Sequence, residues 1–341
     1  MIPHGVRLEQ QKSASLKNEI KRLSGPEGNP APKMFAPLGK KLDSAKIISA
    51  ALKAEIVDEF DGMPLDRKLT HLAESKPDLL IACCFDEDPY TSSAQAVLRE
   101  DAEKAAAGLE LAAKACGAKE MLIAAASQRE LHRLAGKNIK ISAVCAGKRY
   151  PARTLLLQKL CRNGKKVAYL GVQSCAALAD AVNEGKPQSE TVVTVAGDGV
   201  RRWMNCRVPI GTPVETVLKA TQPDDSIRLV VIGSSVTGRT VRDLTLPVTA
   251  ATRCVIALKK APSEQSYPCV RCGRCMRACP VGVIPWLVYR EMESGEPDPL
   301  LLFHVNECMD CQACGLVCPS EIDLAAEVKR AAALKEGGDA E

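Results

Sequence analysis

The chain has 341 residues, 46% of them hydrophobic and 26% charged, which is more than one typical core accommodates and gives a prior of two or three units. Aromatic residues make up 3%, and a net charge of +5 is spread over interleaved Lys, Arg, Asp and Glu, which argues against base-stacking platforms and a dedicated nucleic-acid surface. No apolar run approaches the ~20 residues of a membrane span, and the N-terminal stretch MIPHGVRLEQQKSASLKNEIKRL lacks the apolar core of a signal peptide.

Residues 1–45 contain GPEGNPAP and few periodic apolar positions, so a loosely ordered arm is expected there. Residues 46–75 allow short helices. PDLLIACCF at 77–85 has the apolar run of a buried strand, ended by the DEDP turn. Residues 92–117 place Ala and Leu at helical spacing with Gly117 just beyond, which predicts one long helix. AKEMLIAAAS predicts a strand, SQRELHRLAG a helix, IKISAVCAG a third strand and KKVAYLGV a fourth, followed by a helix through 174–185. This alternation points to a parallel sheet covered on both faces, an α/β domain over 46–186.

ETVVTVAGDGV, RVPIGTPVETVLKA and RLVVIGSSVTGRTV then predict a small α+β unit over 187–261. GSSVTGRT at 233–240 lacks the Lys-Ser/Thr of a phosphate-binding loop and reads as a strand-to-loop turn. No G-x-G-x-x-G occurs, and the four histidines (4, 71, 132, 304) have no ligand or triad spacing.

Sixteen cysteines without an export signal indicate a reducing cytoplasmic setting, where clustered thiols bind metals more often than they pair. Cys269, Cys272, Cys275 and Cys279 follow C-x2-C-x2-C-x3-C-P, and Cys308, Cys311, Cys314 and Cys318 repeat it. Three thiolates two residues apart can wrap three corners of a cubane, while the fourth, before a proline, is directed to the other cluster in two-cluster ferredoxins. The expected ligand sets are therefore Cys269, Cys272, Cys275 and Cys318 for one [4Fe–4S] cluster, and Cys308, Cys311, Cys314 and Cys279 for the other. A pair of structural zinc sites is the alternative, but zinc favours two separated pairs over an evenly spaced triplet. Gly273 and Gly315 suit loops whose amides approach inorganic sulfur. The remaining eight cysteines lie mostly in apolar surroundings and read as core residues, the adjacent Cys83-Cys84 beside an acidic turn being the exception. The cluster domain is expected over 262–330, with a disordered tail at 331–341.

The order of these motifs resembles the C subunit of the Rnf electron transport complex and its relatives, including the electron-transfer protein of D-proline reductase systems. The resemblance covers roughly 77–330 and rests on PDLLIACCFDEDPYTSSAQAVLRE, GAKEMLIAAAS, KRYP, GKPQSETVVTVAGDGV and VPIGTPVETVL, followed by the twin cysteine motifs. It implies an α/β core like the flavin subunit of respiratory complex I, a small β-grasp (SLBB-like) unit at 187–261 and a helical two-cluster ferredoxin domain. The family seats its flavin on a G-x-G-G-A-G-F-P-T loop, and no such loop precedes PDLLI here. The family's E-P becomes Asp88-Pro89, its Y-P-x-G-G-E becomes YPARTL at 150–155, and its N-V-G-T becomes GVQS at 171–174. Neither FMN nor NADH is expected to bind tightly, with Asp86, Glu87, Asp88 and Arg153 as the residual candidates for nucleotide contact.

The resulting expectation is an electron-transfer subunit passing single electrons through two clusters between donor and acceptor proteins, cytoplasmic or peripheral to a membrane complex. An NADH-oxidising flavin and iron–sulfur oxidoreductase, and an assembly adaptor that docks the ferredoxin domain, are the alternatives.

Overall fold

A computed structural model of the chain describes residues 20–25, 32–39, 42–135, 139, 141–146, 149–161, 164–260, 265–298, 300–302 and 304–338. In chain order the elements begin with β1 (Ile20–Arg22), α1 (Ser44–Lys53), α2 (Leu65–Ser75) and β2 (Leu79–Cys84). There follow α3 (Ser93–Glu100), α4 (Ala102–Cys116), β3 (Glu120–Ala125), α5 (Gln128–Ala135), β4 (Ser142–Cys145), α6 (Ala152–Leu160), β5 (Val167–Gly171) and α7 (Val172–Glu184). Next come β6 (Glu190–Ala196), β7 (Met204–Pro209), α8 (Val214–Lys219), β8 (Leu229–Ile232), β9 (Arg239–Val241) and β10 (Cys254–Leu258). The C-terminal region holds α9 (Arg274–Ala278), α10 (Pro285–Ser294), α11 (Ala313–Leu316) and α12 (Leu324–Gly338). The chain divides into two compact units, one of residues 10–147 and 157–261, the other including 148–156 and 262–341.

The first unit contains a four-stranded parallel sheet in the order β4-β3-β2-β5. All six residues of β2 are buried, as a strand covered on both faces requires. The crossovers run from β2 outward to β3 and β4, then return to place β5 on the opposite side of β2. This reversal makes the carboxyl ends of β2 and β5 the topological switch point, where open α/β sheets have their crevice and usual ligand position. The second sheet of the unit is six-stranded, β1-β7-β6-β10-β8-β9, and buries Val193, Val195, Val208 and Val255 against Val214 and Val217 of α8.

Three expectations are corrected here. Part of the supposed arm 1–45 is structured: Ile20–Arg22 pairs in parallel with β7, and Phe35 and Leu38 donate to the carbonyls of Gly185 and Val182 at the end of α7. A three-residue edge strand carries too little periodicity to be read from sequence. The helix expected over 92–117 breaks at Asp101, whose φ of −116° and ψ of 32° leave helical geometry. Its carboxylate accepts a 2.8 Å hydrogen bond from Arg207 on β7, a tertiary contact that overrides the helix propensity of the segment. The expected tail 331–341 continues α12 as far as Gly338. Sequence reading also passed over β10, which lies between β6 and β8 in the second sheet.

Cys83 and Cys84, singled out beside the acidic turn, are fully buried in β2, while Cys161 is exposed. Burial holds the Cys84 thiol far above its ordinary range, so this pair is core. Among the described residues no helix is long and apolar enough to cross a membrane.

Candidate functional site

The two cysteine motifs fold with the same backbone signature. Arg271 and Asp310, each the residue before the second cysteine, have φ values of 53° and 52°. Gly273 and Gln312, each after the second cysteine, have φ values of 69° and 59°. Gly315 lies inside α11 and does not share this conformation, so the partner of Gly273 is Gln312 rather than the glycine expected from sequence. Left-handed residues other than glycine persist only where the surroundings over-determine them, and they concentrate at functional sites. Each loop turns into a short helix, α9 or α11, that carries its third cysteine.

Two small cavities of about 20 Å³ each result. The first is lined by Cys269, Cys272, Cys275 and Cys318, with Trp286, Ile322 and Leu324. The second is lined by Cys308, Cys311, Cys314 and Cys279, with Val283, Pro285 and Val328. Each motif's fourth cysteine thus faces the other motif's cavity. The reason is local: α9 ends at Ala278 and Cys279 is extended, with φ of −64° and ψ of 121°, which carries its thiol away from the loop before it. Tyr150, from YPARTL, donates a 2.7 Å hydrogen bond to the carbonyl of Cys311 and braces the second loop.

Among the described residues no three metal-ligating side chains converge closely enough for a single ion. Four cysteines line each cavity, the number of thiolates that a [4Fe–4S] cluster takes. Burial pushes the Cys314 thiol up to about 12 and raises Cys275, Cys279 and Cys311, so loading the site has to release protons. The amide of Arg271 donates to Sγ of Cys269 at 3.4 Å.

The residual nucleotide candidates have structural occupations. Asp86 follows β2 and accepts from the amide of Ala94 at 2.9 Å in the first turn of α3, with Arg253 3.8 Å away. Burial nonetheless pushes its carboxyl up to about 6. Asp88 accepts from the amide of Tyr90 at 2.8 Å, from Ser234 Oγ at 2.8 Å, and from the amide and Oγ of Ser235 at 2.6 Å each. It therefore pins the 233–238 turn. Glu87 is half-buried beside them. Arg153 lies in α6, in the unit of the cysteine motifs.

Sequence reading missed Asp58 and Glu59, buried acids inside an otherwise apolar run. Glu59 accepts from the amides of Gln173 at 2.7 Å and Ser174 at 3.1 Å, the first turn of α7 and part of the GVQS segment. Asp58 accepts from the amide of Gly171 at 3.0 Å and from Lys68 Nζ at 3.1 Å. A Cβ at position 171 would lie 2.1 Å from the Glu59 carboxyl carbon, so any side chain there would have to push this carboxyl aside. Burial, then the neighbouring Asp58, pushes the Glu59 carboxyl up to about 7. Both helix N-termini at the crevice thus already carry a carboxylate of the chain itself, Asp86 on α3 and Glu59 on α7. These amides are the ones that would seat an anionic cofactor. The signal that could have revealed this is the pair of acids in IVDEF, polar residues where a strand or loop core would be apolar.

The family model for the 4Fe-4S dicluster domain matches residues 268–322. Over 239 residues the chain is 30% identical to the C subunit of the ion-translocating oxidoreductase complex of Rhodobacter capsulatus, covering 61% of this chain and 44% of that protein. It is 24% identical over 306 residues to the protein of the same name from Buchnera aphidicola, covering 84% and 64%. The chain thus spans less than two thirds of these relatives. Among solved structures, an NAD+-reducing [NiFe]-hydrogenase in the H2-reduced state superposes with a TM-score of 0.56 at 17% identity, over 85% of this chain and 60% of that one. At that identity the likeness is one of fold, and it supports the α/β architecture with a C-terminal dicluster region expected from the sequence.

Proposed function

We propose that this RnfC-like chain is an iron–sulfur electron-transfer subunit, relaying single electrons through two [4Fe–4S] clusters between a donor protein and a partner oxidoreductase. One observation carries the reading: four cysteines surround each of two cavities, three from one motif and one from the other. When bound, the clusters supply one-electron chemistry, and the chain's part is to hold them. Cys269, Cys272, Cys275 and Cys318 would ligate the first, and Cys308, Cys311, Cys314 and Cys279 the second. Trp286, Ile322 and Leu324 on one side, and Val283 and Val328 on the other, shield them from water, which helps set their potentials. No acid, base or nucleophile is needed for this work.

The same reading assigns the chain no flavin of its own, because Glu59 and Asp86 occupy the anion-binding amides of the crevice. Resemblance to subunits of ion-translocating complexes supports a peripheral place on such a complex. Anaerobic iron and sulfide analysis tests the core of the reading. We expect about eight irons and eight labile sulfides per chain, as two cubanes require. Stoichiometric zinc with little sulfide would refute it.

A further inference from the structure

The two cysteine loops share a backbone but not a charge. The first loop, CVRCGRCMRACP, carries Arg271, Arg274 and Arg277, while the second, CMDCQACGLVCP, carries one charge, Asp310. All three arginines are exposed, and among the described residues none of their side chains forms an ion pair with a carboxylate. Asp310, by contrast, is paired with Lys329 of α12. Arg274 and Arg277, three apart on α9, project from one side of that helix. Of the eight motif cysteines only Cys272, between Arg271 and Arg274 in the chain, is exposed. Beside it, Val270 is 66% and Tyr267 52% exposed. Arg290 lines the adjoining surface recess with Tyr267, Cys269 and Trp286, and its guanidinium lies over the Trp286 ring. The acids nearby are engaged: Glu291 pairs with Arg290, and Glu293 accepts from Tyr289.

Resting on the electron-transfer reading above, we infer that the Cys272 edge is the docking face for a small acidic protein carrying a one-electron centre. An apolar centre with a cationic rim is the anatomy of a transient, electrostatically steered interface. The transfer would move one electron and no atoms: the reduced carrier would lose one electron to the cluster that Cys269, Cys272, Cys275 and Cys318 would hold. Free arginines at this edge raise the rate at which an anionic surface arrives in the right orientation. The second loop, with its acid neutralised and Met309 and Leu316 exposed, offers such a carrier no attraction.

The experiment uses the holo full-length chain and a reduced acidic [2Fe–2S] ferredoxin in anaerobic stopped flow, following cluster bleaching. The second-order rate constant is expected to fall about tenfold between low salt and about 0.2 M salt. Arg271→Gln, Arg274→Gln and Arg277→Gln combined should lower the low-salt rate by a similar factor and flatten the salt dependence. If that variant loses iron, the wild type decides: oxidation of the reduced chain by a basic carrier, cytochrome c, should not slow with salt. Equal rates in variant and wild type, or a salt-independent wild type, overturn the docking face while leaving the iron–sulfur reading intact. Capture of the wild type by phosphatidylserine vesicles, lost in the variant while carrier rates stay unchanged, overturns it in favour of a membrane surface. Clusters that no carrier and no electrochemical titration can reduce overturn both.

Discussion

Cys279 and Cys318 each close the motif in which they sit, and each lines the cavity of the other. The consequence is testable by comparing spectra. Cys318→Ala should leave the same residual reduced-cluster EPR signal as Cys272→Ala, and Cys279→Ala the same as Cys311→Ala. Pairing the other way round, with Cys318→Ala matching Cys311→Ala, would mean that each motif ligates its own cluster. The triplets and their prolines are readable from spacing alone, because three thiols two residues apart on one loop can only converge. Gln312 was not readable. A left-handed Gln is rare, and its role appears only when the two loops are laid side by side.

Asp88 shows how one side chain organises elements far apart in sequence. From the loop after β2 it holds Ser234 and Ser235 in the turn joining β8 to β9, so the edge of the six-stranded sheet is tied to the parallel sheet. Hydrogen bonds to a charged group contribute about 1.5–3 kcal/mol, and Asp88 is 8% exposed, where water replaces them poorly. Asp88→Ala should therefore speed amide hydrogen exchange in residues 233–238 by about tenfold or more, with iron content unchanged. Unaltered exchange would remove the structural role and return Asp88 to the nucleotide candidates. At this scale the apolar runs of β2, β3, β5 and β6 were legible, since a buried strand announces itself by composition. The break at Asp101 was not, because its cause, Arg207, lies about a hundred residues away.

At the scale of the whole molecule, the carboxyl ends of β2 and β5 mark the switch point of the parallel sheet, and helix amides there are taken by the chain's own acids. Asp58, Glu59 and Lys68 form a buried charged cluster there, and every donor at the start of α7 that Glu59 reaches is already satisfied. An incoming phosphate would have to displace a carboxylate held by two amides and would meet buried negative charge. The chain soaked in excess FMN and desalted should retain none, and NADH should not bleach the clusters, whereas dithionite should. Bleaching by NADH at a catalytic rate would establish the oxidoreductase alternative and refute the electron-relay reading.

By itself, the amino-acid sequence determined the two cysteine repeats, the alternation that builds a parallel sheet, and the loss of a glycine loop. All three depend on short-range spacing, periodicity or the presence of a residue type. Tertiary structure decided that Ile20–Arg22 joins a sheet and that Gln312 takes the left-handed place opposite Gly273. It also decided that Asp86 and Asp88 brace loops, and that Glu59 caps α7 from more than a hundred residues away. Those outcomes depend on which backbone donors the fold leaves near which acceptors. A polar group's partner is chosen by proximity after collapse, and nothing in its local sequence specifies that proximity.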